Sequence, residues 1–193
     1  MAITAITVHL QWTNDLITVA MPPKGMAIED ARAMCEARWG NDVLLFPNDK
    51  DGNGEREMLN VFLDLIGDAD IVSGWNSEGY DIPYTVNRIA RVLSKNDTRR
   101  FCLWDQLPKK REYVKYGKNA ETYDLVGRVH MDSLELYRKY TYEERHSFRL
   151  DAIGEHELDE RKTVYEGSLD NLYKNDFGLF IEYNRQDTAL LAK

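Results

Sequence analysis

The sequence predicts one α/β domain. Short apolar runs rich in β-branched residues alternate along the chain with longer segments whose apolar residues recur at helical spacing. The 193 residues, 43% of them hydrophobic, are enough for one hydrophobic core and too few for two. No internal repeat, low-complexity tract or linker divides the chain, so we expect a single domain over residues 1–193.

The first half of the chain alternates strands with helices. Two β-branched runs, 3–10 and 16–21, are separated by a polar turn and predict an antiparallel hairpin. Short apolar runs that end at a proline or a polar turn predict two further strands, at 42–47 and 70–75. Helix-forming residues that end before Trp39 and Gly40 predict a helix at 27–38, and apolar residues at helical spacing predict helices at 55–66 and 82–94.

The second half begins with the signal of a hairpin. Alternating segments flank the turn sequence GKNA and predict a protruding β-hairpin near 111–125. A strand at 128–132 then leads into a helix, and further helices are predicted at 147–158 and 178–193. Together with the first half, these elements predict a mixed sheet flanked by helices.

Charge and hydropathy exclude several classes of protein. The net charge of −8 argues against a protein that coats nucleic acid through bulk charge, although a site that holds metal ions with carboxylates remains compatible. The chain contains no apolar run of about 18 residues, so we expect no membrane span. The N-terminus lacks the pattern of a signal peptide, and Cys35 and Cys102 have no metal-binding spacing, so we expect a cytoplasmic protein.

The predicted hairpin combines basic and aromatic side chains. They are Lys109, Lys110, Arg111, Tyr113, Lys115, Tyr116 and Lys118. Such a mixture is typical of contacts to single-stranded nucleic acid, in which cations meet phosphates and aromatic rings stack on bases. A solvated surface hairpin would carry the same residues, so both interpretations stay open.

Residues 49–60 resemble a calcium-binding loop, because oxygen ligands occupy its first, third and fifth positions and Gly54 its sixth. The twelfth position should be a bidentate glutamate and is Asn60. A polar turn that leads into a helix explains the same residues.

The most specific signal lies at 70–88, DIVSGWNSEGYDIPYTVNR, where a strand runs through a polar turn into a helix. Asn76, Tyr80 and Asp81 lie in this turn and at the start of the helix. About a hundred residues later, Tyr183 and Asp187 are four residues apart and so share one face of the last predicted helix.

These two segments resemble the Exo II and Exo III motifs of the proofreading 3′–5′ exonuclease domain of family B DNA polymerases. The sequence around Asp81 most resembles that of the polymerases of large tailed bacteriophages. The resemblance covers nearly the whole chain. It implies a ribonuclease H-like exonuclease fold.

The resemblance also implies the roles of the site residues. Asp81 and Asp187 would hold a pair of Mg²⁺ or Mn²⁺ ions, and Tyr183 would orient the attacking water. Asn76 and Tyr80, with Lys115 and Lys118 of the hairpin, would contact single-stranded DNA at the primer 3′ end. The remainder of a DNA polymerase is the implied protein partner.

The family's Exo I motif, an aspartate-x-glutamate pair on the first strand, does not precede residue 3. We therefore expect a partial exonuclease domain that lacks its first strand and has weak or no nuclease activity alone. A truncated piece, a split-gene product and an inactive relative are all compatible with this expectation. The alternative function is a non-catalytic module that binds single-stranded nucleic acid or another polymerase subunit.

Overall fold

The computed structural model describes residues 1–115, 117–160, 163 and 165–193. These residues form two compact units. The first unit contains Met1–Phe62 and Ser147–Lys193, and the second contains Leu63–His146. The single domain predicted over 1–193 stays a prediction.

The strands are β1 Ala5–Leu10, β2 Asp15–Ala20, β3 Val43–Leu45, β4 Ile71–Gly74, β5 Lys109–Lys115, β6 Lys118–Asp124 and β7 Val129–Asp132. The α-helices are α1 Ile28–Trp39, α2 Asn53–Leu65, α3 Asp81–Val92, α4 Ser133–Tyr140, α5 Leu150–Leu158, α6 Leu169–Asn175 and α7 Phe177–Leu191. Short 3₁₀ turns span Gly40–Asp42 and Asn96–Phe101.

In the first unit, β1 and β2 form the predicted antiparallel hairpin, and β3 pairs with β2 in parallel. Asn14 closes the hairpin turn in a left-handed conformation (φ 61°), which asparagine tolerates better than most residues. Its N–H donates to the Leu10 carbonyl at 2.7 Å. The pairing confirms the hairpin predicted from the β-branched runs.

The core of the first unit joins α1 and α7 to the sheet. Ala20 and Val43 of the sheet, Ala31 and Cys35 of α1, and Phe177 and Ile181 of α7 are buried together. Burial of this apolar surface fixes α7 against β1 and β2. The helix that contains Tyr183 and Asp187 is therefore positioned by its apolar residues.

In the second unit, β4 pairs in parallel with β7, and β5 forms an antiparallel hairpin with β6 whose last paired residues are Lys115 and Lys118. Ile82, Val86 and Ile89 of α3 are buried, as their helical spacing predicts. α3 packs against β6 and against the 3₁₀ turn Asn96–Phe101, which follows α3 in the chain.

The predicted single mixed sheet requires a correction. The described residues form three small sheets, of which only the sheet of β1, β2 and β3 is mixed. Apolar periodicity locates strands but does not specify which distant strands exchange hydrogen bonds, and that choice decides sheet composition. The mixed α/β character is confirmed, while the ribonuclease H-like arrangement and the missing first strand stay predictions.

Among the described residues, no helix is long and apolar enough to cross a membrane.

Candidate functional site

The turn between β4 and α3 presents the predicted Exo II residues in the second unit. Asn76 has a left-handed backbone (φ 57°), and its carbonyl accepts the N–H of Gly79 at 3.2 Å. The Ser77 carbonyl accepts the N–H of Ile82 at 2.9 Å. Asp81 is thereby the first residue of α3, where the positive end of the helix dipole favours a carboxylate.

The carboxyl group of Asp81 reaches solvent but is crowded by protein atoms on its inner side. This partial desolvation raises its pKa above the usual value, and the nearby Asp132 carboxylate raises the pKa further. A hydrogen bond from the backbone N–H of Asp81 acts in the opposite direction. Desolvation is the largest of these effects on the pKa and disfavours the bare anion, so a bound cation would stabilise the carboxylate.

Tyr80 precedes Asp81 and is 62% exposed. Its ring stacks on that of Tyr84, with centroids 5.7 Å apart and an interplanar angle of 15°. The stack restrains the Tyr80 ring while leaving much of it in solvent. A restrained, exposed ring of this kind is suited to stack on a nucleic-acid base.

Asp132, which sequence reasoning missed, holds the turn in place. Its buried carboxylate accepts the N–H of Asn76 at 3.1 Å and that of Glu78 at 3.0 Å. It also caps α4 by accepting the N–H of Leu134 at 3.0 Å. The available signal was the pattern Asp132-Ser-Leu-Glu135 after a strand, which is typical of a helix N-cap.

Ser77 ties the same turn to β7. Its buried hydroxyl lies 2.9 Å from Nε2 of His130 and 3.2 Å from the carbonyl of Gly74. A Cβ on Gly74 would lie 2.7 Å from Cβ of Ser77, so only glycine permits this approach. Burial lowers the pKa of His130, which therefore acts in its neutral form as a hydrogen-bond partner.

The base of the β5–β6 hairpin also contacts the turn. Arg111 forms ion pairs with Glu78 and, at 2.8 Å, with Asp124. Thr122 donates its hydroxyl to the Glu78 carbonyl at 2.8 Å. These contacts fix the hairpin relative to the residues that precede Asp81.

The two predicted DNA-binding lysines differ in their surroundings. Lys115 Nζ lies 2.7 Å from Glu135 Oε1, so an acidic neighbour partly neutralises its charge. Lys118 is exposed beside the hairpin turn. Tyr116, predicted to accompany them, lies outside the described residues.

Tyr183 and Asp187 lie in the first unit, one turn apart on α7, and both are half-buried. The Tyr183 ring meets Tyr165 edge-on, with centroids 5.1 Å apart. Helical geometry places both residues on the side of α7 away from Arg185, which anchors the helix by donating to the Leu16 carbonyl of β2 at 2.8 Å.

The predicted site residues therefore fall in two groups. The second unit contains Asn76, Tyr80 and Asp81, together with the hairpin lysines, and the first unit contains Tyr183 and Asp187. Within the part of the chain that the structure describes, no group of three or more His, Cys, Asp or Glu side chains is arranged to hold a metal ion. The predicted proximity of Asp81 and Asp187 stays a prediction.

The segment that resembles a calcium loop leads into α2. Asp49 Oδ1 accepts the N–H of Asn53 at 2.9 Å, at the start of that helix. A carboxylate in this position satisfies one of the free N–H groups of the first helical turn. This contact supports the interpretation as a polar turn.

Comparison with known proteins identifies matches over much of the chain. The family model described as DNA polymerase family B, exonuclease domain, matches residues 42–153. That range includes the Exo II turn and the hairpin but ends before Tyr183 and Asp187.

Three polymerases are similar in sequence. The DNA-directed DNA polymerase of Enterobacteria phage T4 is 31% identical over 134 residues, which are 68% of this chain and 15% of that protein. That of Escherichia phage RB69 is 30% identical over 138 residues, again 68% and 15%. The DNA polymerase delta catalytic subunit of Candida albicans is 29% identical over 126 residues, 60% and 12%. The chain thus spans less than a sixth of the length of these relatives.

Proposed function

This chain belongs to the exonuclease domain of DNA polymerase family B, close to the phage members, and on that premise we propose that it is a 3′–5′ proofreading exonuclease domain. Its substrate would be the single-stranded 3′ end of a DNA primer. The observation that carries the proposal is the turn before α3, which Asp132 holds so that Asn76 and Asp81 are presented together.

The proposed roles follow the resemblance residue by residue. Asp81 and Asp187 are metal ligands, Tyr183 orients the attacking water through its hydroxyl, and Asn76 holds the frayed primer end. The exposed, restrained ring of Tyr80 supports a contact with a base. The polymerase that would deliver the primer is the remainder of a family B enzyme.

The donor chemistry fits Mg²⁺ or Mn²⁺, since both assigned ligands are carboxylates and these cations prefer oxygen. When bound, a pair of such ions activates water and stabilises the leaving oxygen. Two carboxylates are too few to hold two ions firmly, so further ligands are required. We assign these to an Exo I aspartate-x-glutamate pair, and we propose weak activity for the 193-residue chain alone.

A second candidate is a non-catalytic module that binds single-stranded DNA or a polymerase subunit. The exposed Tyr80 ring and the exposed Lys118 are compatible with it, since both suit contacts with single-stranded DNA that need no metal chemistry. This module would keep DNA binding in EDTA while showing no metal site shared by Asp81 and Asp187.

We expect Mn²⁺ to broaden the NMR signals of amides around both Asp81 and Asp187, because carboxyl groups within about 8 Å can share a metal pair whose ions are about 4 Å apart. In Asp81→Ala the broadening should be lost around Asp187 as well. The measurement is a titration of the ¹⁵N-labelled chain with MnCl₂, which requires no nuclease activity.

The matched control is Asp49→Ala, which removes an acid of the calcium-like loop and should leave the broadening unchanged. If the amides around Asp187 are still broadened by Mn²⁺ in Asp81→Ala, the two acids belong to independent sites. That result would contradict the shared metal centre. In that case the exonuclease proposal would lose its metal site.

Lys118→Ala should lower the salt dependence of single-stranded DNA binding by about 0.7 units in log K against log salt, the value of one phosphate contact. Lys115→Ala should have a smaller effect, because Glu135 already pairs with Lys115 at 2.7 Å. Anisotropy of a labelled oligonucleotide over a range of NaCl concentrations measures both slopes.

Lys24→Ala is the control for loss of one positive charge, since Lys24 is an exposed loop residue of the first unit. Equal slopes of log K against log salt for the wild type, Lys118→Ala and Lys24→Ala would indicate that the hairpin is a solvated surface feature.

A further inference from the structure

The loop at 102–106 exposes a large aromatic residue in an unusual backbone conformation. Trp104 is 75% exposed, and Trp104 and Asp105 both have left-handed backbones, with φ of 56° and 54°. Consecutive left-handed residues other than glycine are energetically unfavourable, more so for a bulky side chain. Such strain persists only where surrounding contacts enforce it.

The surroundings of the loop do enforce it. The N–H of Leu103 donates to the Val126 carbonyl at 2.8 Å, and that of Gln106 donates to the Leu103 carbonyl at 3.2 Å. A Cβ on Gly127 would lie 3.2 Å from Cε3 of Trp104, so one edge of the indole rests on the glycine backbone. Gly127 thus contacts one edge of the Trp104 ring, while most of the ring surface faces solvent.

Arginine side chains lie next to this loop. Arg99, Arg100 and the buried Arg128 line one cavity of about 340 Å³. Arg99 pairs with Asp105 at 3.3 Å and Arg100 with Asp64 at 2.8 Å.

Both arginines are engaged, and Arg99 also donates to Oδ1 of Asn96 at 2.8 Å and to the backbone carbonyl of Asp105. The carboxylate partner of each arginine is nevertheless exposed to solvent. The paired carboxylates of Asp105 and Asp64 are 83% and 75% exposed. Exposed pairs of this kind contribute little to stability, and a phosphate can accept two hydrogen bonds from one guanidinium. A phosphate can therefore replace either carboxylate as the partner of Arg99 or Arg100.

We propose that Trp104, Arg99 and Arg100 form a second contact for single-stranded DNA, apart from the turn that presents Asp81. A base stacks on the indole, and a neighbouring phosphate binds the guanidinium groups. An aromatic platform beside cations is the arrangement that binds single strands without sequence preference. Adjacent cations favour DNA over an apolar protein partner for this exposed ring.

The inference rests on the proposed function only in taking DNA as the ligand. The test is anisotropy of a labelled oligothymidylate in EDTA, where no metal chemistry contributes. Trp104→Ala should weaken binding by about ten-fold, the loss expected for one stacked base. Trp104→Tyr, which keeps a flat ring, should recover most of the affinity.

Trp12→Ala is the matched control, because Trp12 is 59% exposed on the turn between β1 and β2 and lies in the other unit. It should bind as the wild type does. Arg100→Ala should lower the salt slope by less than the roughly 0.7 units of an unpaired phosphate contact, because Asp64 pairs with Arg100 at 2.8 Å. Asp105→Asn should strengthen binding by removing the competing carboxylate.

Unchanged affinity in a folded Trp104→Ala chain, judged by its circular dichroism, would overturn the proposal even if the manganese titration supported the nuclease site. If Trp104→Ala does not fold, Asp105→Asn decides, and weaker or equal binding by that variant would overturn the proposal. Loss of the shared metal site with intact Trp104 effects would contradict only the nuclease function.

Discussion

A form of this chain extended at its N-terminus by a strand with an aspartate-x-glutamate pair should digest single-stranded DNA from its 3′ end far faster than the 193-residue chain. We expect a gain of at least about 100-fold in Mg²⁺, since metal ions stabilise charge in the transition state by several kcal/mol and each 1.36 kcal/mol is tenfold in rate. The measurement is the shortening of a 5′-labelled oligonucleotide, followed by gel electrophoresis.

The control is the same extension with both acids replaced by alanine, which should be no faster than the chain alone. In the active extended form, Asp81→Ala and Asp187→Ala should each return the rate to that of the chain alone. Rapid Mg²⁺-dependent digestion by the unextended chain, abolished by Asp81→Ala, would show that the ligand count is wrong. An extended chain that stays slow would favour the non-catalytic module.

Periodicity in the sequence was enough to locate most elements. The β-branched runs identified β1 and β2, and the spacing of Ile82, Val86 and Ile89 identified α3, whose three residues are all buried. Burial of an apolar face is a local property, and helix and strand periods report it directly. The seven-residue α6 was missed, because so short a helix shows barely two turns of that pattern.

Contacts between distant residues were not predictable in the same way. From the sequence, Lys115 is one cation of a predicted basic hairpin. In the structure, Oε1 of Glu135 lies 2.7 Å from Nζ of Lys115. The sequence also predicts β4 and β7 as strands but does not specify that they pair. In the structure Ile71 of β4 pairs with Val129 of β7, 58 positions later in the chain. Such pairings depend on loop closure and packing across the whole unit, which no local pattern encodes.

Asp132 is the clearest case, because its position as a helix N-cap is visible in the sequence while its second role is not. Asp132→Ala should lower the free energy of unfolding by about 3 kcal/mol, since a lost cap costs about 1 kcal/mol and each of the two partly buried N–H groups left unsatisfied costs about 1 kcal/mol, the low end of the range for buried groups. The N–H groups of Asn76 and Glu78 would lose their acceptor. Urea denaturation followed by circular dichroism measures the change.

Comparison with Asp176→Ala separates the effect of helix capping from the effect of the hydrogen bonds that Asp132 accepts from the turn before α3. Asp176 caps α7 by accepting the N–H of Leu179 at 2.9 Å, so its replacement should cost only about 1 kcal/mol. The Asp132 variant should also lose amide-exchange protection at Asn76 and Glu78, while the Asp176 variant keeps it. Equal destabilisation of the two variants with unchanged protection at Asn76 would reduce Asp132 to an ordinary helix cap. The position of Asp81 would then depend on Ser77 and Glu78, through their contacts with β7 and the hairpin.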